Sequence, residues 1–446
     1  MTTKRKKMKV ALVSLGCPKN LVDSEKMLGL LARQEFVVGA TMEEADVIVV
    51  NTCGFLGAAR EESLGVIREA LAHKAAGRVQ RVVVAGCLVN RDGEKIFHDA
   101  PGIDAIVGVN DRERIVDAVR GKKTEEKTRR NRKRWEGEDT ERFRITPKHT
   151  AYLRISEGCS RKCSFCTIPA IRGPFRSKPI ETVMKEAREL IADGAVELNV
   201  IGQDTTGYGA DLRGQVTLAK LLRKLDGLPG LEWLRLMYAY PWGFTDELLG
   251  AMADCRHVVP YVDVPLQHVS TSVLRRMRRG TTRRSIDGLL KKLRAIEGMV
   301  IRTTFIVGFP GETNEEFQEL LAFVKEAKFE AMGVFEYSQE EGTPAASMRG
   351  QIPASVKARR ARQIMLAQQK IAFAANAAVV GSPITVLADG LDAQGRGVGR
   401  YYGQAPDIDS LCILDRPRPA GEFVAGTVAG WDGYDLEVAA GRRNDV

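Results

Sequence analysis

Glu157-Gly158-Cys159-Ser160-Arg161-Lys162-Cys163-Ser164-Phe165-Cys166 is the stretch on which the reading of this chain turns. It sets three cysteines as C-x3-C-x2-C directly behind the strand-like run Ala151–Ser156. A loop this short can wrap three thiolates around one iron–sulfur cubane. Four thiolates are usual, so three leave one iron open to an outside group. On spacing alone, zinc and unrelated surface thiols compete with that reading. Zinc asks for a fourth Cys or His nearby, and the next histidine downstream is His257.

Outward from the loop, strand and helix patterns alternate. The strand-like runs Ala151–Ser156, Glu197–Ile201, Trp233–Tyr238, Tyr261–Val264, Val300–Val307 and Met332–Tyr337 enclose helical periodicity at Ile180–Asp193, Leu218–Leu225, Arg283–Glu297 and Asn314–Ala327. Six units in a row predict a partial (β/α)6 barrel. Its parent, the eight-unit barrel, carries its sites at the strand C-terminal ends. Here those ends are polar or glycine-rich: Gly202-Gln203-Asp204, Pro265-Leu266-Gln267-His268 and Gly308-Phe309-Pro310-Gly311-Glu312 join the cysteine loop. His268 is the histidine placed to face such a site, although strand-end polar residues serve equally in turns. A helix from Ser355 to about Val380 leads out of the barrel.

Upstream, Met8 to about Arg120 alternates as well. The apolar runs Lys9–Leu15, Asp46–Val50, Arg81–Ala85 and Ile103–Val107, with helical segments such as Asp23–Arg33 and Arg60–His73, predict a doubly wound α/β domain with a parallel sheet. Its cysteines occupy equivalent places. Cys17 closes Val13-Ser14-Leu15-Gly16-Cys17, Cys53 closes Val50-Asn51-Thr52-Cys53, and Cys87 closes Ala85-Gly86-Cys87. The carboxyl ends of such strands share one edge, where ligands bind. Three thiols far apart in sequence therefore converge as a second three-ligand set. Cys255 and Cys412 have no partner at useful spacing and read as packing residues.

The 446 residues suffice for two or three domains, and 44% apolar with 28% charged residues is the balance of a soluble globular protein. No apolar run approaches the roughly 20 residues of a membrane span. Eight cysteines without a secretory signal argue against a disulfide framework. The reading is a cytoplasmic enzyme. A net charge of +10 permits a nucleic-acid partner without demanding one. From Arg120 to Thr150 twelve basic residues face six acidic ones, read as a solvated linker. Domains are expected at 8–120, 145–380 and 381–446, with the linker at 121–144. The last predicts a small all-β barrel of five strands from runs such as Ile384–Leu387, Leu411–Leu414, Phe423–Val428 and Asp435–Val438. It holds ten acidic residues against six basic, which suits a basic protein partner better than tRNA phosphates. Asp407 and Asp409 are the residues expected to face that partner.

With these residues in view, the sequence resembles a known family. Cys159, Cys163 and Cys166, with Phe165 as the aromatic before the last cysteine, resemble the radical S-adenosylmethionine (radical-SAM) signature. The three earlier cysteines and the small β-barrel are similar to the methylthiotransferases over nearly the whole chain: N-terminal methylthiotransferase domain, radical-SAM barrel and C-terminal TRAM domain. Ser14-Leu15-Gly16-Cys17-Pro18-Lys19-Asn20 and Gly202-Gln203-Asp204-Thr205-Thr206-Gly207-Tyr208-Gly209 look like the RimO branch, which modifies an aspartate of the twelfth small-subunit ribosomal protein. The sister tRNA branch typically carries Gln-Met-Asn and Gln-Asn-Val-Asn at these places.

The resemblance implies two 4Fe–4S clusters, one on Cys17, Cys53 and Cys87 and one on Cys159, Cys163 and Cys166. It implies S-adenosyl-L-methionine as radical source and methyl donor, hydrogen abstraction from the aspartate β-carbon, and sulfur delivered from the N-terminal cluster. Gln203 and Asp204 are expected near the methionine moiety and Phe165 near the cofactor. Gly308 and Gly311 are expected where backbone approaches it closely. An electron donor such as flavodoxin or ferredoxin is implied, and no membrane. The tRNA enzyme, and a non-catalytic iron–sulfur carrier or RNA-binding module, stand as alternatives. The barrel speaks against a carrier, which needs no substrate cavity.

Overall fold

Val47–Val50 is apolar without a break, and in a computed structural model describing residues 7–122 and 137–441 every residue of the strand Val47–Thr52 is buried. A central strand covered on both faces requires that. It lies in a parallel sheet whose spatial order is Val37–Val38, Lys9–Ser14, Val47–Thr52, Arg81–Gly86, Ala105–Val107. Side chains alternate between two apolar layers. Ile48, Val50 and Val84 pack with Ile67 of the helix Gly57–Ala75, whereas Val47, Val49 and Val83 pack with Met27 and Leu31 of the helix Pro18–Arg33. The chain reverses its direction of travel across the sheet between Lys9–Ser14 and Val47–Thr52, where open α/β sheets form their ligand crevice.

Six parallel strands follow in chain order: Thr150–Arg154, Glu197–Ile201, Trp233–Leu236, Val258–Asp263, Val300–Val307 and Ala331–Glu336. This is the expected open (β/α)6 arrangement. Thr217, Thr245, Thr282 and Thr313 each accept the N–H three residues on, fixing where four outer helices begin. The expected strand to Tyr238 stops at Leu236, because Tyr238 adopts a left-handed φ of 57°.

The C-terminal segment closes as expected into a five-strand barrel of Pro383–Leu391, Gly397–Arg400, Cys412–Leu414, Phe423–Asp432 and Asp435–Ala440. Its loop 401–411 docks against the larger barrel. Tyr152 Oη donates to Asp407 at 3.0 Å, Tyr261 Oη to Asp409 at 2.8 Å, and Arg302 Nε to Asp409 at 3.2 Å. Arg400 reaches Glu197 at 2.8 Å. Of the two residues expected to face a basic partner, Asp409 is engaged within the chain by a tyrosine and an arginine, whereas Asp407 takes one tyrosine and stays exposed.

Residues 123–136, most of the expected linker, lie outside the described residues. Its end is not a solvated chain. Asp139 is 2% exposed and accepts from Arg112, Arg154 and Lys178. Among the described residues no helix is long and apolar enough to cross a membrane.

Candidate metal and cofactor site

Gly16 turns the chain at φ +88°, and a Cβ there would stand 2.9 Å from the Cβ of Cys53. Only glycine lets these two loops approach so closely. Cys17 then caps the helix Pro18–Arg33, its carbonyl accepting the N–H groups of Asn20 and Leu21 at 2.8 and 3.0 Å. Cys53 follows the central strand, and the Ser63 hydroxyl brackets it, accepting from its N–H at 3.1 Å and donating to its carbonyl at 3.0 Å. Cys87 opens the helix behind Gly86. Three adjacent strands thus deliver three thiols to one edge, each within the electrostatic field of the others. Burial pushes the Cys87 thiol up to about 12, against the opposing pull of Arg172. At Cys17 burial is outweighed by Lys19, Arg172 and backbone N–H groups, and the thiol falls below its ordinary value. Thiols held this way give up their protons when a metal's charge replaces lost solvation.

In the barrel, Gly158 holds φ +74°, where a Cβ would meet the Pro174 carbonyl oxygen at 2.3 Å. A two-residue hairpin, Ser156–Glu157 with Arg176–Ser177, brackets the cysteine loop. Within it, the Cys159 N–H donates to Gly173 at 3.1 Å and the Cys166 N–H to Cys163 at 3.2 Å. The Arg161 backbone N–H lies 3.4 Å from Cys159 Sγ, and Arg279 Nη1 lies 3.4 Å from Cys163 Sγ. Both guanidiniums stack on the Tyr240 ring, 4.3 and 4.1 Å from its centroid. Burial lifts the Cys159 and Cys166 thiols to about 11 and about 12.

The two cysteine regions touch. The Thr167 hydroxyl, next to Cys166, donates to the Phe55 carbonyl, two residues past Cys53, at 3.3 Å. Arg172, at the end of the helix Ile168–Arg172, sends Nη2 to Cys87 Sγ at 3.2 Å and to Asp23 at 3.1 Å, and Nη1 to Glu157 at 3.1 Å. Around it Asp23, Asp139, Glu157 and Glu186 interlock with Arg112, Arg154, Arg172 and Lys178, all more than nine-tenths buried. Four acids meet four bases, so the buried charge balances. Burial alone would raise Glu157, but Arg172 and Arg154 hold it down at about 2. Among the described residues no three Cys, His, Asp or Glu side chains close tightly enough for a single metal ion.

Three family models match the chain: Uncharacterized protein family UPF0004 over residues 9–108, Radical SAM superfamily over 153–324 and TRAM domain over 380–440. A relative from Pelotomaculum thermopropionicum, named ribosomal protein uS12 methylthiotransferase RimO, is 46% identical over 436 residues, covering 96% of this chain and 98% of its own. The chain belongs to the RimO family of radical-SAM methylthiotransferases. A relative of the same name from Geobacter sulfurreducens is 42% identical at the same coverage of both chains. Among solved structures, the radical S-adenosylmethionine methyltransferase TsrM of Kitasatospora setae, with cobalamin and a 4Fe–4S cluster bound, shares the fold. Its TM-score is 0.56 at 15% identity, over 76% of this chain and 77% of that one. RimO-family membership brings S-adenosylmethionine and 4Fe–4S clusters as cofactors.

In this RimO-family chain the other expected site residues fall unevenly. Gln203 Nε2 donates to Glu157 at 2.8 Å, while its Oε1 is buried without a partner. Asp204 accepts from Arg161 at 2.8 Å, beside Cys159. Phe165 packs, partly buried, against a cluster of Val273, Phe309 and Tyr337. At Gly308 the space a Cβ would fill belongs to Lys357, whose Cγ would be 2.4 Å away, and the Gly311 N–H donates to Gly350 at 2.8 Å. Gly308 therefore packs closely on Lys357, whereas at Gly311, with φ +73°, a Cβ would meet only Arg276 Nε at 3.9 Å. His268 is fully buried, its Nδ1 accepting from the Ser270 N–H at 3.0 Å, and burial lowers it to about 3. Arg172, Arg279 and Ser63 were not anticipated. Arg172 stands one short helix past Cys166, but nothing in its spacing points to Cys87.

Proposed function

We propose that this methylthiotransferase adds a methylthio group to the β-carbon of an aspartate in the twelfth small-subunit ribosomal protein, uS12. Cys17, Cys53 and Cys87 hold one 4Fe–4S cluster, and Cys159, Cys163 and Cys166 hold the other. The observation that carries this reading is the direct seam between the cysteine regions, Thr167 on Phe55 and Arg172 on Cys87. A substrate carbon that must lose hydrogen at one site and gain sulfur at the other needs both within reach.

The donor sets fit the groups. Each trio is all-thiol and buried or partly buried, the ligand type that iron–sulfur clusters take. Bound there, the clusters and S-adenosylmethionine supply a carbon-centred radical and the transferable sulfur. The chain's own residues orient and screen. Arg279 and the Arg161 N–H donate toward Cys163 and Cys159 sulfur, stabilising thiolate. The Gln203 Oε1 leaves a buried acceptor for a cofactor donor. Glu157 fixes the Gln203 amide and Asp204 fixes Arg161.

Flavodoxin or ferredoxin fits as electron donor and the cytoplasm as location, where ribosomal protein and reductant meet. The test is mass analysis of purified uS12 after incubation with reconstituted enzyme, reductant and S-adenosylmethionine. An added methylthio group on the target aspartate is expected. Modification of tRNA with uS12 untouched would overturn the reading.

A further inference from the structure

We infer that Lys19 recognises the target side chain, its ammonium binding the substrate carboxylate where the N-terminal cysteine edge meets the mouth of the barrel. The inference rests on the aspartate substrate proposed above and adds the residue that selects it.

Lys19 is two residues past Cys17 and only 7% exposed. A buried ammonium ordinarily finds a carboxylate, because desolvating it alone is costly. Lys178 shows the usual solution, with Asp139 at 2.8 Å and Glu186 at 2.5 Å. Lys19 differs. Among the described residues it forms no ion pair, and its Nζ stands 3.0 Å from the centroid of the Tyr238 ring. Its first electrostatic partner is the Cys17 thiol, and the carboxylates in its neighbourhood are already taken. Asp263 receives Arg302 at 3.1 Å and the Tyr238 N–H at 3.2 Å, and Glu157 receives Arg154 and Arg172. A cation–π contact tolerates a desolvated cation but supplies no carboxylate partner.

The position suits an incoming anion. Tyr238 lies just past the carboxyl end of the barrel strand Trp233–Leu236, and it and Cys17 are both partly exposed. A carboxylate reaching Lys19 from the mouth replaces the ring contact with a charge-assisted hydrogen bond. In aspartate the carboxylate is bonded directly to the β-carbon. Gripping it at Lys19 therefore places the reacting carbon beside Cys17, on the seam between the two cysteine regions. Asparagine has the same shape but brings no charge to the ammonium, so the site favours aspartate.

The test uses the full reconstituted enzyme and two forms of uS12, one native and one with asparagine in place of the target aspartate. Binding of each is measured to wild type, Lys19→Met and Lys19→Arg. Wild type should prefer the aspartate form by roughly ten- to a hundredfold, the weight of a hydrogen bond to a charged group. Lys19→Met should bind both forms equally, at the wild-type affinity for the asparagine form, and Lys19→Arg should keep most of the preference. Because the readout is a ratio on one protein preparation, partial loss of folded or loaded enzyme cancels. A preference that survives in Lys19→Met overturns the inference. So does weakened S-adenosylmethionine binding with the preference intact, which would give Lys19 to the cofactor's carboxylate. An altered midpoint potential of the N-terminal cluster with the preference intact would make Lys19 a charge balance for Cys17, and also overturns it. If wild type binds neither form, the substrate reading fails first and takes this inference with it.

Discussion

Arg172 joins a cysteine of one domain to carboxylates of both, and its removal strands charge. Glu157 would keep Arg154 and Asp23 would keep Arg112 and Arg154, but four buried acids would then face three bases. Arg172→Met should cost about 3–5 kcal/mol in urea unfolding, the usual penalty for breaking a buried pair from one side. Arg172→Lys should fall between, since an ammonium restores charge without the planar fork. A loss below about 1 kcal/mol for the Met variant would show that the network does not depend on this residue. The contrast with the cysteines explains what a sequence can disclose at this scale. Cys17, Cys53 and Cys87 were legible because each closes an apolar strand run, so topology alone gathers them. Arg172 was hidden because its partners at Asp23, Cys87 and Glu157 share no spacing and meet only after two domains dock. Lys19 lay in a quoted motif, yet its lack of a carboxylate partner among the described residues is a fact about the folded neighbourhood.

At the scale of elements, unbroken Val/Ile runs marked the central strands, and the barrel's six strands appeared nearly where expected. The hairpin of Ser156–Glu157 with Arg176–Ser177 was invisible, since two-residue strands have no periodicity to read. The strand-end run Pro265–His268 carries another lesson: a polar residue at a strand end can turn inward to the packing instead of the site. His268 is buried with its folded-state proton affinity depressed to about 3, below the usual value near 6.5. The unfolded chain therefore binds this proton first as pH falls. The stability linked to His268 is whole above about pH 6.5 and declines toward pH 3, by about 1.4 kcal/mol per pH unit. His268→Asn keeps an acceptor for the Ser270 N–H and removes the titration. Its stability should fall less steeply than wild type between about pH 6 and pH 4, by that slope. Parallel pH profiles for the two proteins would show that His268 is not a neutral buried ring in solution.

For the whole molecule, pairing within the chain shares out the acidic charge of the C-terminal barrel. The acidic C-terminal barrel directs Asp389 to Arg400, Asp392 to Arg396 and Glu422 to Arg418, while Asp407 and Asp409 lock it onto the larger barrel. Asp409→Ala should loosen that lock, speeding limited proteolysis within 401–411 while leaving iron content unchanged. Undiminished protease resistance would mean the loop is held by packing alone. If two separate cysteine trios each hold one cluster, iron content must divide between them. Reconstituted wild type, a Cys17→Ala, Cys53→Ala, Cys87→Ala triple variant and a Cys159→Ala, Cys163→Ala, Cys166→Ala triple variant are compared for iron per chain. Each variant should retain roughly half the wild-type iron, one cubane of two, and the barrel variant should lose all S-adenosylmethionine cleavage. Full iron in either variant, or none in both, would contradict it.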